Sequence, residues 1–182
     1  VGMDLARIEN PGAAPERWEV LITTLSEHDG AFPGAGFVLD GDFLYAFTAL
    51  EARESKSPRT LTRLNLRHLE AYRSDLSDAL EIYQMDGQWR RGFRPDRAQI
   101  LMADSATEMS VHFDPAVKRW IAVYVSPGAA TSDDPTTSVL IRTAGRLEGP
   151  WSAPQPLVKI PETIPRAGHP VDKNLFCYAA KA

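Results

Sequence analysis

Two carboxylates stand where strand-like stretches begin, and a pair of carboxyl groups can hydrolyse a glycosidic bond. Glu108 opens the stretch EMSVHF, and Asp29 lies just before AFPGAGF. Such hydrolysis places one group on each side of the scissile bond, about 5–5.5 Å apart for retention of configuration and about 6.5–9.5 Å apart for inversion. One carboxyl must stay protonated, so its surroundings must raise its pKa. Glu108 borders a mostly apolar run and is the first candidate for catalysis; Asp29 is the second.

Further polar residues could bind a substrate beside these carboxylates. Ser110 and His112 alternate on one face of the strand that Glu108 opens. Hydroxyl, imidazole, guanidinium and ammonium groups can donate hydrogen bonds to sugar hydroxyls or to a carboxylate. The predicted substrate-binding residues are His28, Ser110, His112, Arg142 and Lys181.

A purely structural role is the alternative for each of these residues. Glu108 could hold backbone amides of a neighbouring sheet, and residues 28–30 could form an ordinary polar turn. Arg142 alternates with apolar residues in LIRTA, which favours pairing with a carboxylate between strands over contact with a substrate. His112 is of a type that often lies satisfied in a core, and Lys181 stands next to the last residue.

The sequence predicts no metal or cofactor. Its four histidines lie far apart, and neither the cysteine nor the acidic residues have the spacing of a zinc site. TSDDPTTS supplies hard oxygens at Asp133 and Asp134 but lacks the ordered alternation of a calcium loop. No glycine-rich phosphate loop precedes a helix, and the single Cys177 allows no internal disulfide.

Composition and charge narrow the possible partners. Hydrophobic residues make up 43% of the 182 residues and charged residues 24%, which is typical of a globular protein. The net charge of -4 argues against a nucleic acid or an anionic membrane as partner. No apolar run approaches the roughly 20 residues needed to span a bilayer. The sequence begins at Val1 and contains no signal peptide, so a removed signal and an expression boundary both stay open.

Most of the chain is predicted to form strands. WEVLITTL is rich in β-formers, TLTRLNL alternates with period 2, and GFVLD and FLYAFTAL flank a hairpin turn around Gly41. A short helix is predicted between His68 and Ser77, where apolar residues recur at helical spacing. The other extended runs are ALEIYQ, EMSVHF, RWIAVYVS, SVLIRTA and QPLVKI, separated by proline and glycine turns. The predicted class is all-β.

An internal repeat predicts the architecture. FVLDGDFLYAFTAL matches VHFDPAVKRWIAVYVS, TLTRLNL matches SVLIRTA, and ALEIYQ matches QPLVKI. A four-stranded unit repeated at about 70 residues predicts a β-propeller with long loops. Its blades are expected over 18–85 and 106–160, and a third is expected to start at 174–182. A β-sandwich whose hairpins look alike is the alternative.

At about 70 residues per repeat, the 182 residues hold too few repeats to close a propeller ring. Propellers have about four to eight blades, so residues 1–182 are predicted to be a partial propeller with about two and a half. An isolated blade exposes apolar faces and an unpaired edge. We therefore expect the remaining blades to come from the same protein or from other copies of the chain.

Four stretches carry a family resemblance: RIENPGAAPERWEV, EMSVHFDPAVKRWIAVY, LIRTAGRLEGPWSAPQPLV and FCYAAKA. Together they resemble secreted bacterial five-bladed β-propellers of the domain-of-unknown-function type, which are related in architecture to the arabinanase and furanosidase glycosidases. The resemblance runs from Arg7 to Ala182, with Glu51 to Arg97 matching only loosely. In the family the last motif continues into His-Pro-Glu, which is absent after Ala182.

The resemblance implies an extracellular, carbohydrate-active propeller. It predicts a secreted glycoside hydrolase that acts on a furanose-containing or similar polysaccharide or oligosaccharide through paired carboxylates. A propeller that binds a glycan or another protein without catalysis is the alternative, because one fold hosts many functions. In such a ring the innermost strands line the axis, which is where Glu108 and Asp29 would lie.

Trp151, in the turn GRLEGPWSAP, is predicted to be structural. Gly149 permits backbone angles closed to other residues, and Pro150 fixes φ before the chain reverses. The indole could then bury on the order of 200 Å² between neighbouring sheets. The alternative is a platform on which a sugar stacks.

Overall fold

A computed structural model describes the chain over residues 3–26, 31–50, 58–71, 76–104, 108–126, 138–160 and 180. Within these ranges the strands are β1 Met3–Ile8, β2 Val20–Ser26, β3 Ala31–Asp40, β4 Phe43–Leu50, β5 Arg59–Asn65, β6 Glu81–Tyr83, β7 Trp89–Arg91, β8 Met109–Asp114, β9 Arg119–Ser126, β10 Ser138–Ala144 and β11 Gln155–Lys159. Short 3-10 helices cover Pro15–Arg17, Leu66–Ala71 and Pro95–Arg97. The predicted all-β class is confirmed, and the helical segment expected from His68 begins slightly earlier, at Leu66.

The strands form three antiparallel sheets. β1 and β2 form a two-stranded sheet, β3 to β7 a five-stranded sheet, and β8 to β11 a four-stranded sheet. In the two larger sheets each strand pairs with its neighbour in sequence. Strands β8 to β11 of the four-stranded sheet fall within 106–160, whereas 18–85 contains β2 from one sheet and β3 to β6 from the next. The division of the chain into blades stays a prediction. The start of a third repeat at 174–182 lies outside the described residues, apart from residue 180.

The four-stranded and five-stranded sheets share a hydrophobic core. Period-2 alternation turns every second side chain of a strand to the same face, and those faces meet here. The five-stranded sheet contributes the buried residues Val38, Tyr45, Phe47 and Leu61, and the four-stranded sheet contributes Met109, Val111, Ala122 and Tyr124. Two loop residues, Met102 and Leu147, complete the core. Because both faces are apolar at this level, stacking the two sheets removes them from water together.

A second core covers the other face of the five-stranded sheet. Its buried members include Leu64, Leu80 and Ile82 from this side of the sheet and Leu25 from β2. Leu5 of β1 packs against the same cluster. The two-stranded sheet is therefore attached through apolar contacts to the face that the four-stranded sheet does not reach.

Strands β3 and β8 approach each other closely at Gly36. A methyl group in place of the Gly36 hydrogen would lie 2.8 Å from the carbonyl oxygen of Met109. Gly36 also follows a break in the pairing register of β3 with β4, between Pro33 and Gly36. Glycine at such a break lets two backbones approach closely. Gly36 therefore sets the spacing between β3 and β8, the first strands of the two larger sheets.

None of the helices among the described residues is long and apolar enough to cross a bilayer.

Candidate functional site

Strand β8 carries two of the predicted site residues on one face, and a third directly precedes it. Met109 and Val111 belong to the core between the two larger sheets. Side chains alternate along a strand, so Ser110 and His112 lie on the opposite face. Glu108 directly precedes β8 at the same even-numbered spacing.

The three residues differ in how far they are exposed. Glu108 is exposed, whereas Ser110 and His112 are half-buried. Nδ1 of His112 is buried and has no hydrogen-bond partner within the part of the chain that the structure describes. A buried polar atom without a partner costs free energy unless a ligand or water satisfies it. This face of β8 therefore offers one carboxylate, one hydroxyl and one unsatisfied ring nitrogen.

Arg142 lies on the opposite face of the four-stranded sheet. In the register it stands beside Ala122, a residue of the shared core. Its guanidinium donates from Nε to the hydroxyl of Tyr124 at 2.7 Å, and it donates to Asp104 Oδ1 and to the carbonyl oxygen of Ser152, both at 2.5 Å. Its side chain is only 11% exposed. The structure thus places Arg142 in a structural network and does not bring it together with Ser110 and His112.

The other predicted site residues cannot be placed against this face. Asp29, His28 and Lys181 lie outside the described residues. The second carboxylate of the predicted pair is therefore a sequence prediction only.

The network of Asp104, Tyr124 and Arg142 was not found by sequence reasoning. Asp104 lies in the loop before β8, four positions ahead of Glu108. Nothing in the alternation of the strands points to it, because it belongs to no strand. The sequence does indicate that Arg142, a cation among the apolar residues of LIRTA, needs a carboxylate partner. It does not indicate which carboxylate that is.

Tyr124 has a shifted acid–base equilibrium in this network. Its side chain is fully buried. Burial raises the pKa of its hydroxyl above the usual value, and the hydrogen bond from Arg142 opposes that rise. The neutral phenol is therefore the form that the fold stabilises.

Alkaline pH is expected to weaken the fold through Tyr124. The pKa of the Tyr124 hydroxyl is higher in the folded chain than the value of about 10 expected in the unfolded chain. The stability that the neutral hydroxyl contributes is therefore complete below about pH 10 and is lost as the pH rises further. We expect Tyr124→Phe to unfold at lower urea concentration than the wild type at pH 8 and to show a smaller loss of stability between pH 9 and pH 11. Urea titrations followed by tryptophan fluorescence measure both. An unchanged pH dependence in Tyr124→Phe would contradict this assignment.

Trp151 and Trp89 connect the two larger sheets. The ring of Trp151 meets Phe47 of β4 edge-on at 5.8 Å between centroids, and its Nε1 donates to the carbonyl oxygen of Leu147 at 3.0 Å. Trp89 of β7 donates from Nε1 to Glu148 at 3.3 Å. The structural role predicted for Trp151 is confirmed, because the indole packs between the sheets and its polar atom is satisfied.

Candidate metal ligands are not clustered in the ranges that the structure covers: no group of three or more His, Cys, Asp or Glu residues there could hold an ion.

A comparison with known protein families shows to which family the chain belongs. Residues 9–174 match the family described as "Domain of unknown function (DUF4185)". The chain belongs to this family. The match includes β8 and therefore Glu108, Ser110 and His112. No curated protein is similar enough to this DUF4185 chain to give a match.

A solved structure shares the fold of the DUF4185 chain. It is a crystal structure of a protein from Bacteroides ovatus that is provisionally described as a hydrolase. The two structures align with a TM-score of 0.57 at 17% sequence identity. The alignment covers 88% of the DUF4185 chain and 38% of the other, so the chain spans well under half the length of that structure.

Proposed function

We propose that this chain is part of an extracellular five-bladed β-propeller that hydrolyses a furanose-containing or similar polysaccharide through paired carboxylates. Glu108, directly before the first strand of the four-stranded sheet, is the general acid or nucleophile, and Asp29 is its partner. Ser110 and His112 bind the hydroxyls of the sugar. Further blades of the same protein or of other copies complete the ring.

The observation that carries this proposal is the composition of one face of β8. Glu108, Ser110 and His112 stand at alternate positions from the start of that strand. The ring of His112 is half-buried beside Ser110, and an imidazole can form a hydrogen bond to a sugar hydroxyl. The similarity of fold to a protein provisionally described as a hydrolase agrees with a hydrolytic reaction.

The experiment compares Glu108→Gln with Glu19→Gln in the intact protein. Glu19 is an exposed carboxylate just before β2, so both variants make the same chemical change. On arabinan, release of reducing sugar by Glu108→Gln should fall by a factor of about 10²–10⁴, because a positioned acid or base contributes about that much. Glu19→Gln should keep wild-type activity, and both should have wild-type circular dichroism. Full activity in Glu108→Gln would remove this residue from the mechanism.

A second candidate function is glycan binding without catalysis. It is favoured by the exposure of Glu108, since active sites generally close around the reacting groups and expel water, whereas this side chain is open to solvent. Affinity electrophoresis in arabinan gels separates the two candidates. Retardation of the wild-type protein without sugar release supports binding alone, and retardation with release supports the hydrolase.

A further inference from the structure

One short stretch of the chain is strongly basic, although the chain as a whole is acidic. Residues 90–97 contain four arginines and one acidic residue, whereas the whole chain has 20 basic and 24 acidic residues. Three of these arginines, Arg91, Arg94 and Arg97, have side chains that are 60% to 66% exposed. These three residues are called the arginine surface below. Positive charge is therefore concentrated at one place on an otherwise acidic chain.

The carboxylates near the arginine surface do not neutralise it. Nε of Arg94 and Nε of Arg97 lie 3.5 Å and 4.0 Å from the same exposed carboxylate, Asp96. Nε of Arg91 lies 3.8 Å from Glu81, whose other oxygen accepts a hydrogen bond from an arginine of β5 at 2.7 Å. The three distances to the arginine surface are longer than the roughly 3 Å of an N–H···O hydrogen bond. Exposed pairs of this kind contribute little to stability, so an anionic ligand can replace them at small cost.

The backbone that carries the arginine surface is held in place by the fold. Phe93, in the middle of the stretch, and Ala98, directly after it, are both buried in the second core. The backbone N–H of Met85 donates to the carbonyl oxygen of Arg97 at 3.1 Å. A ligand that binds here does not have to order this backbone first, which lowers the entropic cost of binding.

The arginine surface is separate from the face of β8 that carries Ser110 and His112. Arg91 belongs to β7, the last strand in the order β3 to β7, and β3 is the strand that approaches β8. Because neighbouring strands lie about 4.8 Å apart, β7 is roughly 19 Å from β3 across the sheet. A group bound at the arginine surface therefore takes no part in the chemistry proposed for Glu108.

We propose that the arginine surface binds an acidic polysaccharide through the carboxylates that repeat along such a polymer. A guanidinium presents planar pairs of donors that match a carboxylate. Arg91 and Arg97 stand six positions apart, so their Cα atoms are separated by at most about 21 Å and one segment of a polymer can reach all three arginines. The choice of a polysaccharide among polyanions rests on the carbohydrate-active function proposed above.

Nucleic acid fits the arginine surface less well. Proteins that bind single strands stack the bases on exposed aromatic rings. The aromatic residues of this stretch are already packed: Phe93 is buried, and the guanidinium carbon of Arg63 lies 4.2 Å from the ring centroid of Trp89. The acidic remainder of the chain also repels a polymer as densely charged as a nucleic acid.

The first test measures binding of polygalacturonate, a polymer of carboxylated sugars, to the intact protein by calorimetry at low salt. One triple variant replaces the arginine surface with glutamine, and a control triple variant does the same at three other exposed arginines, Arg17, Arg67 and Arg146. We expect the first variant to bind at least about tenfold more weakly than the wild type, and the control to stay within about twofold. Salt should weaken wild-type binding more steeply than binding of the first variant. Equal weakening in both variants, or no binding by the wild type, would overturn the proposal.

The second test uses the wild-type protein and does not depend on how any variant folds. Its arginines are modified with phenylglyoxal with and without polygalacturonate, and mass spectrometry of the peptides locates the modified residues. A saturating concentration of the polymer should slow modification of the arginine surface at least about fivefold and leave the three control arginines unchanged. Protection that is equal at both sets of arginines, or absent from both, would contradict the assignment.

Two further polymers identify the chemistry that is recognised. Fully methyl-esterified polygalacturonate lacks the carboxylates and should not bind; if it bound as tightly as the acid, the charge of the arginine surface would have no role. Duplex DNA that bound at least as tightly as polygalacturonate and protected the same arginines would assign the surface to nucleic acid and overturn the polysaccharide. Every readout is binding, not sugar release from arabinan, so failure here is distinct from failure of the hydrolase proposal.

Discussion

Gly36→Ala is expected to destabilise the protein by about 2–3 kcal/mol, in the range found for overpacked cores. The added methyl group would lie 2.8 Å from the carbonyl oxygen of Met109 and 2.9 Å from its Cγ. A backbone oxygen cannot move aside as the end of a flexible side chain does, so β3 and β8 would have to separate. The shared core would open at the point where both sheets begin. Chemical denaturation of the wild type and the variant measures the difference.

Gly145→Ala is the matched control for Gly36→Ala. Gly145 follows β10 directly, and a methyl group there would meet no atom within 4 Å. We expect its free energy of unfolding to stay within about 0.5 kcal/mol of the wild type, as for most exposed substitutions. If the two alanine variants were equally stable, the close approach of β3 and β8 would not exist in solution.

Arg142→Met is expected to lower the free energy of unfolding by about 3 kcal/mol, at the lower end for the loss of one partner from a buried charge pair. The methionine retains much of the apolar stem but leaves the Asp104 carboxylate and the Tyr124 hydroxyl without the guanidinium that bonds to both. The carbonyl oxygen of Ser152 loses its donor as well. Asp104 is half-buried, so water replaces part of what is lost. Urea denaturation at pH 7 measures the effect.

Arg119→Met provides the comparison for Arg142→Met. Arg119 begins the neighbouring strand β9, and its Nε donates to the hydroxyl of Thr143 at 3.2 Å on an exposed surface. Removing that contact should cost no more than about 0.5 kcal/mol. Asp104→Asn added to Arg142→Met should recover part of the loss, because the unpaired charge is then gone. Equal stability of Arg119→Met and Arg142→Met would show that the network contributes nothing to the fold.

Strand positions could be predicted from the sequence because their signals are local. Alternation in TLTRLNL and SVLIRTA, and a turn at Gly41, are enough to place β5, β10 and the β3–β4 hairpin. The same reasoning placed Ser110 and His112 on one face of β8, since a period of 2 fixes the face once the strand is known. Trp151 was assigned correctly because glycine and proline around it define a turn that folds back.

Partners that are distant in sequence could not be predicted in the same way. WEVLITTL reads as a strand, but no pattern in it says that β2 pairs with β1 and not with β3. Arg142 needs a carboxylate, yet Asp104 stands 38 positions away in a loop. The contact of Gly36 with Met109 likewise depends on how two sheets stack. These three contacts depend on tertiary packing, which the local preferences of the residues do not specify.

The Trp151 turn has a consequence for how the chain could be re-engineered. The loop between β10 and β11 lies at the opposite end of the four-stranded sheet from Glu108, and it folds back so that Trp151 meets Phe47 and Ser152 accepts a hydrogen bond from Arg142. Exchanging this loop for one from another protein would remove contacts that hold the two sheets together. A loop exchange that aims at a new ligand specificity should therefore leave residues 145–154 unchanged.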